Sequence, residues 1–507
     1  MTVDPRTGPS GAARRLLARL RALTPEGRDA FLYGASALFA GVTALAMRIP
    51  LYREWGRLAV GPYAAATALM VVVTLVRRSR RRGTTGPGAP DAPDAPDAPG
   101  APGAPVAAVV AGPVPSGGGW RAARIAAFAV VLLGATVVPL ALEVVWASHG
   151  DASLHVQPEV LVVERAGIRA AHGQDPYQVV DRNGHILIRQ SAIPVYELYY
   201  PYLPGMVVFG FSSGSKVEAR LTDARIQFLL FTVVVTVLAL SRVRPGSDAR
   251  YRSLQALTVL PTAALPLATG GDDMPVVALM LLGLVALQRR RPVLAGLALG
   301  AASTLKFTAW PLVFLALFAA SDLKGRRAVG RYLVAVLALV VPVVLPVALH
   351  NPSAFVDNVV RFPLGLAGVA SPAASALPGH ILVATFPAIH RAYVVVAAVI
   401  GLSVLGRRLL RDPPRDAAAV ARLTGWVMLI AILLAPATRV GYLLYPINLF
   451  VWSWMFRRSS DPIDERGGPV GGDTDAGQLP SGVSNTSTEY DVVPSGVVGE
   501  TTTPVSQ

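Results

Sequence analysis

Three carboxylates between residues 151 and 164 are the best candidates for acid–base chemistry in this chain. They are Asp151, Glu159 and Glu164, at the start of a polar stretch that runs from residue 148 to about 223. A general base needs hydrogen-bond reach to the group that it deprotonates and a suitable pKa, which a carboxylate in a loop can provide. Glu159 is the first choice. The alternative is that Glu159 and Glu164 form the solvated face of a helix.

Six cationic side chains could stabilise a developing negative charge, as on an anionic leaving group. They are Lys306, His350, Arg361, His380, Arg225 and Arg439, with Lys306 and His350 ranked first. An ionisable residue at membrane depth indicates a functional site by default, although Lys306 could instead extend to the membrane interface. Asp223 could pair with Arg225 or cap the helix that begins at 224, and we favour capping.

Other polar residues are open to two interpretations. Tyr177, Tyr200 and Tyr202 could contact a sugar or a lipid, or could belong to an aromatic belt at the membrane interface. Asp272 and Asp273 resemble a metal pair, but TGGDD also predicts a turn whose acidic residues cap the next helix, and we favour the turn. The seven histidines lack the spacing of zinc ligands. We therefore predict no metal site.

Composition places these residues in a membrane protein. The 507 residues are 53% hydrophobic and only 15% charged, whereas soluble domains contain about 25% charged residues. The net charge of +15 comes from arginines in short clusters between apolar runs, which indicates membrane topology and no nucleic-acid partner. Cysteine is absent, so disulfides and thiolate metal sites are excluded. No cleaved signal peptide is predicted.

Apolar runs of about 20 residues mark the membrane spans, and roughly ten are predicted. They lie near 30 to 47, 58 to 76, 121 to 147, 224 to 241, 253 to 268, 274 to 288, 330 to 349, 391 to 408, 421 to 437 and 440 to 456. With ten spans, the arginine clusters between them all fall on one side, which is the cytoplasmic side by the positive-inside rule. The prediction is an all-α, multi-pass protein of the cell membrane, with both termini in the cytoplasm and the 148–223 loop outside.

Three further segments would position the candidate residues. Residues 292 to 320 run between two basic clusters and predict a re-entrant helical hairpin with Lys306 near its tip. Residues 158 to 172 alternate apolar and charged positions as an amphipathic helix at the membrane surface does. Residues 199 to 211 are too short to span and rich in Tyr and Pro, which favours an interfacial helix.

The chain divides into five segments by composition. Residues 1 to 29 form a cytoplasmic N-terminal segment, 30 to 82 an accessory transmembrane hairpin, and 83 to 119 a disordered linker rich in Pro, Ala and Asp. The core extends from 120 to 458, and 459 to 507 form a disordered cytoplasmic tail.

Four runs in the core resemble a known family. They are PEVLVVERAGIRAAHGQDPY, YYPYLPGMVVFGF, LTDARIQFLL and GLALGAASTLKFTAWPLVFLAL, within about 140 to 456. In this order they resemble the polyprenol-phosphate-mannose-dependent mannosyltransferases of the GT-C class in actinobacteria, classed as glycosyltransferase family 87. Family members carry a pattern like D-x-x-x-Y-x-x-A-(about six)-G-x-x-x-Y, whose Asp is the base. Glu159, Val163, Ala166, Gly173 and Tyr177 match it here, with Glu in place of Asp and Val in place of the first Tyr.

The resemblance implies a GT-C-like fold and a hexosyltransferase. The donor would be a polyprenyl-phosphate sugar, with mannose first, and the acceptor a hydroxyl of a lipid or glycan outside the cytoplasm, with inversion at the anomeric carbon. The lipid-linked sugar is a substrate, so no cofactor is expected. Two alternatives stay open: a transporter or lipid flippase, since broken helices near charges also mark transport sites, and a catalytically inactive scaffold in envelope assembly.

Overall fold

A computed structural model describes residues 23–84, 118–149, 152–177, 193–214, 219–243, 247–369 and 371–460. The predictions made for Asp151, for most of the 83–119 linker and for the tail beyond residue 460 therefore fall outside the described residues. The first 22 residues and residues 178–192 of the long loop fall outside them as well.

The described part of the chain is helical and contains no β-strand, which confirms the all-α prediction. The helices of the first half are α1 Pro25–Ala46, α2 Pro50–Thr84, α3 Gly118–Leu132, α4 Val138–His149, α5 Ala152–His155, α6 Pro158–Ala171, α7 Ala219–Thr222 and α8 Ala224–Leu240. Those of the second half are α9 Asp248–Thr258, α10 Pro261–Thr269, α11 Asp273–Gln288, α12 Pro292–Leu305, α13 Trp310–Lys324, α14 Arg326–His350, α15 Pro352–Val356, α16 Pro378–Thr385, α17 His390–Arg411, α18 Ala417–Leu434 and α19 Leu444–Ser460. Short 3₁₀ segments cover Val195–Leu198, Pro204–Gly214, Phe307–Ala309, Pro387–Ile389 and Val440–Leu443, and π turns cover Leu133–Val137 and Asp357–Arg361.

Among the described residues, six helical segments are long and apolar enough to cross a membrane. Four shorter apolar helices accompany them, including α8, α11 and α12. A multi-pass membrane protein fits this inventory, while the count of ten spans stays a prediction. The predicted span 253–268 is divided into α9 and α10 at Val259 and Leu260. Pro261 begins the second piece, where its missing N–H costs no hydrogen bond.

The hairpin predicted between residues 292 and 320 is formed by α12 and α13, and Lys306 lies at its tip. Helix α12 follows α11 after a short turn and packs against it, so the two helices run antiparallel. They contain 14 and 16 residues. Because equal numbers of residues cover nearly equal lengths in an α-helix, Lys306 returns to the level at which α11 began, beside Asp273.

The amphipathic helix predicted at 158–172 is α6, and its buried face carries Val160, Val163 and Ala166. This helix packs against the 3₁₀ segment Pro204–Gly214 through two glycines. A Cβ on Gly167 would lie 2.2 Å from the carbonyl carbon of Gly210, so neither position accommodates a side chain. The contact fixes α6 on a largely buried segment of the core.

Helices α1 and α2, the predicted accessory hairpin, pack on α3, α4 and α10. The indole N–H of Trp55 donates to the carbonyl of Ala135 at 2.8 Å, inside the first π turn, and the hydroxyl of Tyr63 donates to the carbonyl of Val259 at 2.5 Å. Both hydrogen bonds are buried. The hairpin is thus held to the core by specific polar contacts in addition to apolar packing.

Candidate active site

Glu159 and Arg439 form an ion pair at one end of the helix bundle. Glu159 lies in the first turn of α6, and Arg439 precedes the 3₁₀ segment Val440–Leu443. The guanidinium contacts Oε1 of Glu159, and the two side chains are 28% and 18% exposed. Oε2 of Glu159 has no hydrogen-bond partner among the described residues. The candidate base and one candidate phosphate ligand thus lie together, which the sequence did not predict.

Lys306 is held between two carboxylates at the same end of the bundle. Its ammonium lies 3.1 Å from Oδ2 of Asp272 and 2.5 Å from Oδ1 of Asp273. Tyr445 donates a hydrogen bond of 2.7 Å to Asp273, and Thr308 donates one of 2.6 Å to the hydroxyl of Tyr445. The predicted turn at 270–273 is confirmed. Asp272 occupies the N-cap position of α11, but its side chain makes no capping bond there and contacts Lys306 instead.

Two tyrosines join the ion pairs into one group. The ammonium of Lys306 lies 5.3 Å from the ring centre of Tyr202 and 5.7 Å from that of Tyr442. Tyr442 is also within electrostatic range of Arg439, and Glu159 is within range of Asp272. We name the set Glu159, Arg439, Asp272, Asp273 and Lys306 the acid–base cluster.

The side chains of the acid–base cluster differ in exposure. Lys306 and Asp272 are 12% and 5% exposed, so they lie deeper than the Glu159–Arg439 pair. Tyr52 of α2 lies within electrostatic range of both Glu159 and Arg439. The predicted accessory hairpin therefore borders the cluster.

Sequence reasoning missed four of the residues that complete this arrangement. The sequence favours helix caps for Asp272 and Asp273, and it does not mark Tyr442 or Tyr445 as part of a site. The available signal was topological: the predicted spans put TGGDD, the hairpin tip and Arg439 on the same side of the membrane. Asp272 and Asp273 lie on the side of the membrane that Lys306 reaches, so they are candidates for its partners.

Glu164 lies one turn and a half further along α6 and has a different environment. Its Oε1 accepts the backbone N–H of Ala224 at 3.0 Å. Burial raises the pKa of Glu164 to about 7, while the Ala224 N–H acts in the opposite direction. This carboxyl links α6 to the start of α8.

Four predicted phosphate ligands lie outside the acid–base cluster. Arg225 is fully buried, bonded to Asp223 and to the carbonyl of His155. Asp223 also accepts the N–H of Arg225, so the predicted cap of α8 is confirmed. Arg361 pairs with Asp357 at 2.6 Å and is half-exposed, Nδ1 of His380 lies 2.8 Å from the carbonyl of Pro436, and His350 is exposed at the end of α14.

The three candidate tyrosines form a buried aromatic ladder. Ring centres lie 5.5 Å apart for Tyr177 and Tyr200, and 5.2 Å apart for Tyr200 and Tyr202. The Tyr177 hydroxyl donates to the carbonyl of Tyr202 at 2.8 Å. Tyr202 is the member whose ring lies next to Lys306, so the ladder packs against the cluster through this ring.

A small cavity of about 180 Å³ borders α6. Its polar lining consists of Arg165, Arg169 and Glu197, and Arg165 donates to the carbonyl of Glu197 at 3.0 Å. Val162, which also lines it, is three residues from Glu159 and therefore a neighbour on the helix surface.

Within the described residues, no three His, Asp or Glu side chains converge as metal ligands do. The charge of the Asp272–Asp273 pair is opposed by Lys306.

The fold and the cluster define a polytopic membrane protein with paired acidic and basic groups at one end of its helices. The sequence profile of glycosyltransferase family 87 matches residues 218–436. This match supports the family resemblance found in the sequence and indicates a glycosyltransferase. Asp272, Asp273 and Lys306 lie inside the matched stretch, whereas Glu159 and Arg439 flank it on either side. No curated protein and no solved structure matches the chain significantly.

Proposed function

We propose that this glycosyltransferase transfers a hexose, with mannose as the first candidate, from a polyprenyl-phosphate donor to an acceptor hydroxyl, with inversion. The observation that carries the proposal is the acid–base cluster, in which a carboxylate with one unbonded oxygen lies beside Arg439 and near Lys306. Sugar transfer from a phosphate needs these two functions together: a base for the acceptor and cations for the leaving phosphate.

Donor binding is the first step. The phosphodiester of a polyprenyl-phosphate sugar carries a negative charge, and Arg439 presents it with a planar, bidentate donor. Glu159 occupies that guanidinium in the structure. The incoming phosphate therefore competes with Glu159 for Arg439, and its binding releases the carboxylate. The base becomes available when the donor is in place.

Transfer follows in a single displacement. The acceptor oxygen attacks the anomeric carbon while Glu159 removes the hydroxyl proton, a new C–O bond forms, and the bond between the anomeric carbon and the phosphate oxygen breaks. The electron pair of that bond leaves with the polyprenyl phosphate. Attack opposite the leaving group inverts the anomeric centre, as in other single-displacement glycosyl reactions. Arg439 and Lys306 stabilise the charge that grows on the phosphate.

Asp272 and Asp273 are positioning residues in this scheme. They fix the ammonium of Lys306 at the hairpin tip, since each carboxylate contacts it directly. Tyr445 and Thr308 in turn hold Asp273. A charge fixed before the reaction stabilises a transition state more effectively than one that must reorganise.

The membrane arrangement agrees with a lipid-linked donor and an acceptor at the extracytoplasmic surface. The cluster lies at one end of apolar helices, so a polyprenyl chain could remain in the bilayer while its phosphate reaches Arg439. The positive-inside rule puts this end outside the cytoplasm in the predicted topology. Helix α6, whose amphipathic pattern suits the membrane surface, carries the base.

The test is sugar transfer by the purified full-length protein in detergent or vesicles. Radiolabelled polyprenyl-phosphate mannose serves as donor, envelope lipid extract serves as acceptor, and wild type is compared with Glu159→Gln and Glu164→Gln. We expect Glu159→Gln to lower the turnover number by about 10²- to 10⁴-fold, with donor binding and folding retained. Glu164→Gln is the matched control on the same helix and should keep most of the activity.

Three results would change the proposal. Loss of transfer with Glu164→Gln alone would move the base along α6 and keep the reaction. Retained configuration in the product would exclude single displacement. Absence of transfer by the wild type with each of several lipid-linked sugars would reject this donor class and favour the transporter or scaffold alternatives.

A further inference from the structure

A second feature lies at the opposite end of the α12–α14 pair from Lys306. A groove of about 470 Å³ runs between these two helices. Its apolar lining consists of Val293, Leu297, Val334, Ala335 and Ala338. Val293 follows the first residue of α12, whereas Lys306 follows its last. The groove is therefore separate from the acid–base cluster.

Two arginines stand at one end of this groove. Arg327 and Arg331 line it, are exposed, and lie four residues apart on α14, so their side chains project from the same face. Neither makes a hydrogen bond or an ion pair with another described residue. Arg289, the C-cap residue of α11, differs, because it donates to the carbonyl of Arg242 at 2.7 Å. The two guanidiniums are available to a ligand.

Two glycines shape the groove between the two helices. A Cβ on Gly296 of α12 would lie 2.5 Å from the carbonyl oxygen of Tyr332, so the backbones approach closely on one side. Gly330 lies between the two arginines, and a Cβ there would meet nothing within 4 Å. The backbone contact closes the space between the helices, and the missing side chain at 330 leaves a surface channel above it.

The dimensions and charges fit an anionic phospholipid. The groove follows α14 from Arg327 to Ala338. Eleven rises of 1.5 Å separate these two residues, a length of roughly 16 Å. That length accommodates a large part of an acyl chain, and the basic end matches a phosphate headgroup. Arg327 and Arg331 provide two guanidiniums, each able to bind phosphate in a bidentate manner.

We propose that this groove binds one anionic phospholipid, with Arg327 and Arg331 on its phosphate and an acyl chain along α12 and α14. The inference does not rest on the proposed sugar transfer, because none of its residues belongs to the acid–base cluster.

Native mass spectrometry of the full-length protein, released from detergent with phosphatidylglycerol or phosphatidylcholine, tests the proposal. Wild type should retain one phosphatidylglycerol at concentrations at which phosphatidylcholine is not retained. The double variant Arg327→Gln with Arg331→Gln should bind phosphatidylglycerol at least about tenfold more weakly, since both charges that attract the phosphate are removed. The matched control is Arg407→Gln with Arg411→Gln, an exposed pair with the same spacing on α17. An equal loss in this control would overturn the proposal.

A third variant tests occupancy by the acyl chain without changing charge. Gly330→Leu fills the open channel and suits a helix, so it should lower phosphatidylglycerol retention while leaving both arginines. Full retention by Gly330→Leu would overturn the proposal. Thermal stabilisation of the wild type by inorganic phosphate equal to that by the lipid would also overturn it, because the arginines would then bind phosphate without a lipid chain.

Discussion

Groups of charged side chains occur at both ends of the bundle, and their central carboxylates, Asp29 and Glu159, differ in how completely they are bonded. At the end away from Lys306, Asp29 of α1 is fully buried and accepts hydrogen bonds at both oxygens, from Arg252 and Gln255 at Oδ1 and from Arg124 at Oδ2. Asp248 adds a second carboxylate to Arg124 at 2.7 Å. We name these five residues the hairpin network, because they join α1 to α3 and α9.

Glu159 of the acid–base cluster lacks the complete bonding of Asp29. Glu159 has one bonded oxygen and one without a partner among the described residues, and its side chain is partly exposed. A fully buried carboxylate that is bonded at both oxygens, as Asp29 is, fixes one arrangement of helices, since its removal leaves the cations around it unpaired. A partly bonded and partly exposed pair can exchange partners at lower cost. We interpret the difference as stabilisation at one end of the bundle and, under the proposed mechanism, as ligand exchange at the other.

The largest effect is expected from breaking the hairpin network. Asp29→Asn removes the charge that Arg124 and Arg252 face and should lower the free energy of unfolding by about 3 to 5 kcal/mol. Thermal unfolding in detergent measures the loss. Glu54→Gln is the control, because it breaks a more exposed pair with Arg57 whose contribution should be about 1 kcal/mol or less. Equal losses in the two variants would contradict the structural role of the network.

Removing the Lys306 cation from the acid–base cluster should have the next largest effect, a loss of sugar transfer. Lys306→Gln should lower the turnover number by about 10²- to 10³-fold, because a fixed charge near the leaving phosphate is lost. Lys306→Arg should restore part of the rate. Arg361→Gln is the matched control, since it removes a cation also suggested by the sequence but lying on Asp357. A larger loss with Arg361→Gln would move the phosphate site away from the cluster.

A smaller effect is expected from the exchange of Glu159 for the donor phosphate at Arg439. If Glu159 and the donor phosphate compete for this guanidinium, Glu159→Gln should bind the donor more tightly than wild type, by roughly tenfold for a competing interaction of about 1.4 kcal/mol. Equilibrium binding of a non-transferable polyprenyl phosphate measures it. Asp175→Asn, a change in the same loop, should leave the affinity unaltered. Weaker binding by Glu159→Gln would mean that the carboxylate assists the donor and does not compete with it.

The smallest effect concerns pH. Burial raises the pKa of Glu164 to about 7, so the fold favours its protonated form. This contribution is complete below about pH 4.5, the pKa of an exposed Glu, and is lost as pH rises through about 7. Between pH 5 and pH 8 the wild type should therefore lose on the order of 1 kcal/mol relative to Glu164→Gln, which cannot ionise. Parallel unfolding curves for the two proteins across this range would contradict the assigned pKa.

Local patterns in the sequence determined the helical architecture. Apolar runs specify helices, because backbone hydrogen bonds within a membrane must be satisfied inside each segment. The arginine clusters between the runs mark where the predicted spans end. Lys306 at a hairpin tip, Asp223 as a cap and α6 as an amphipathic helix follow from signals a few residues long. The family could also be identified, because its runs are contiguous stretches of sequence. Each of these properties depends on neighbours in the chain.

Only the tertiary structure decided which charges are partners. Glu159 and Arg439 are separated by most of the chain, and their pairing requires α6 and the 438–442 segment to meet at one end of the bundle. Asp272 and Asp273 have an ordinary local use as helix caps, so their contact with Lys306 depends on α12 returning beside α11. Spacing along the chain carries no information about such contacts. The packing of antiparallel helices of similar length brings these residues together.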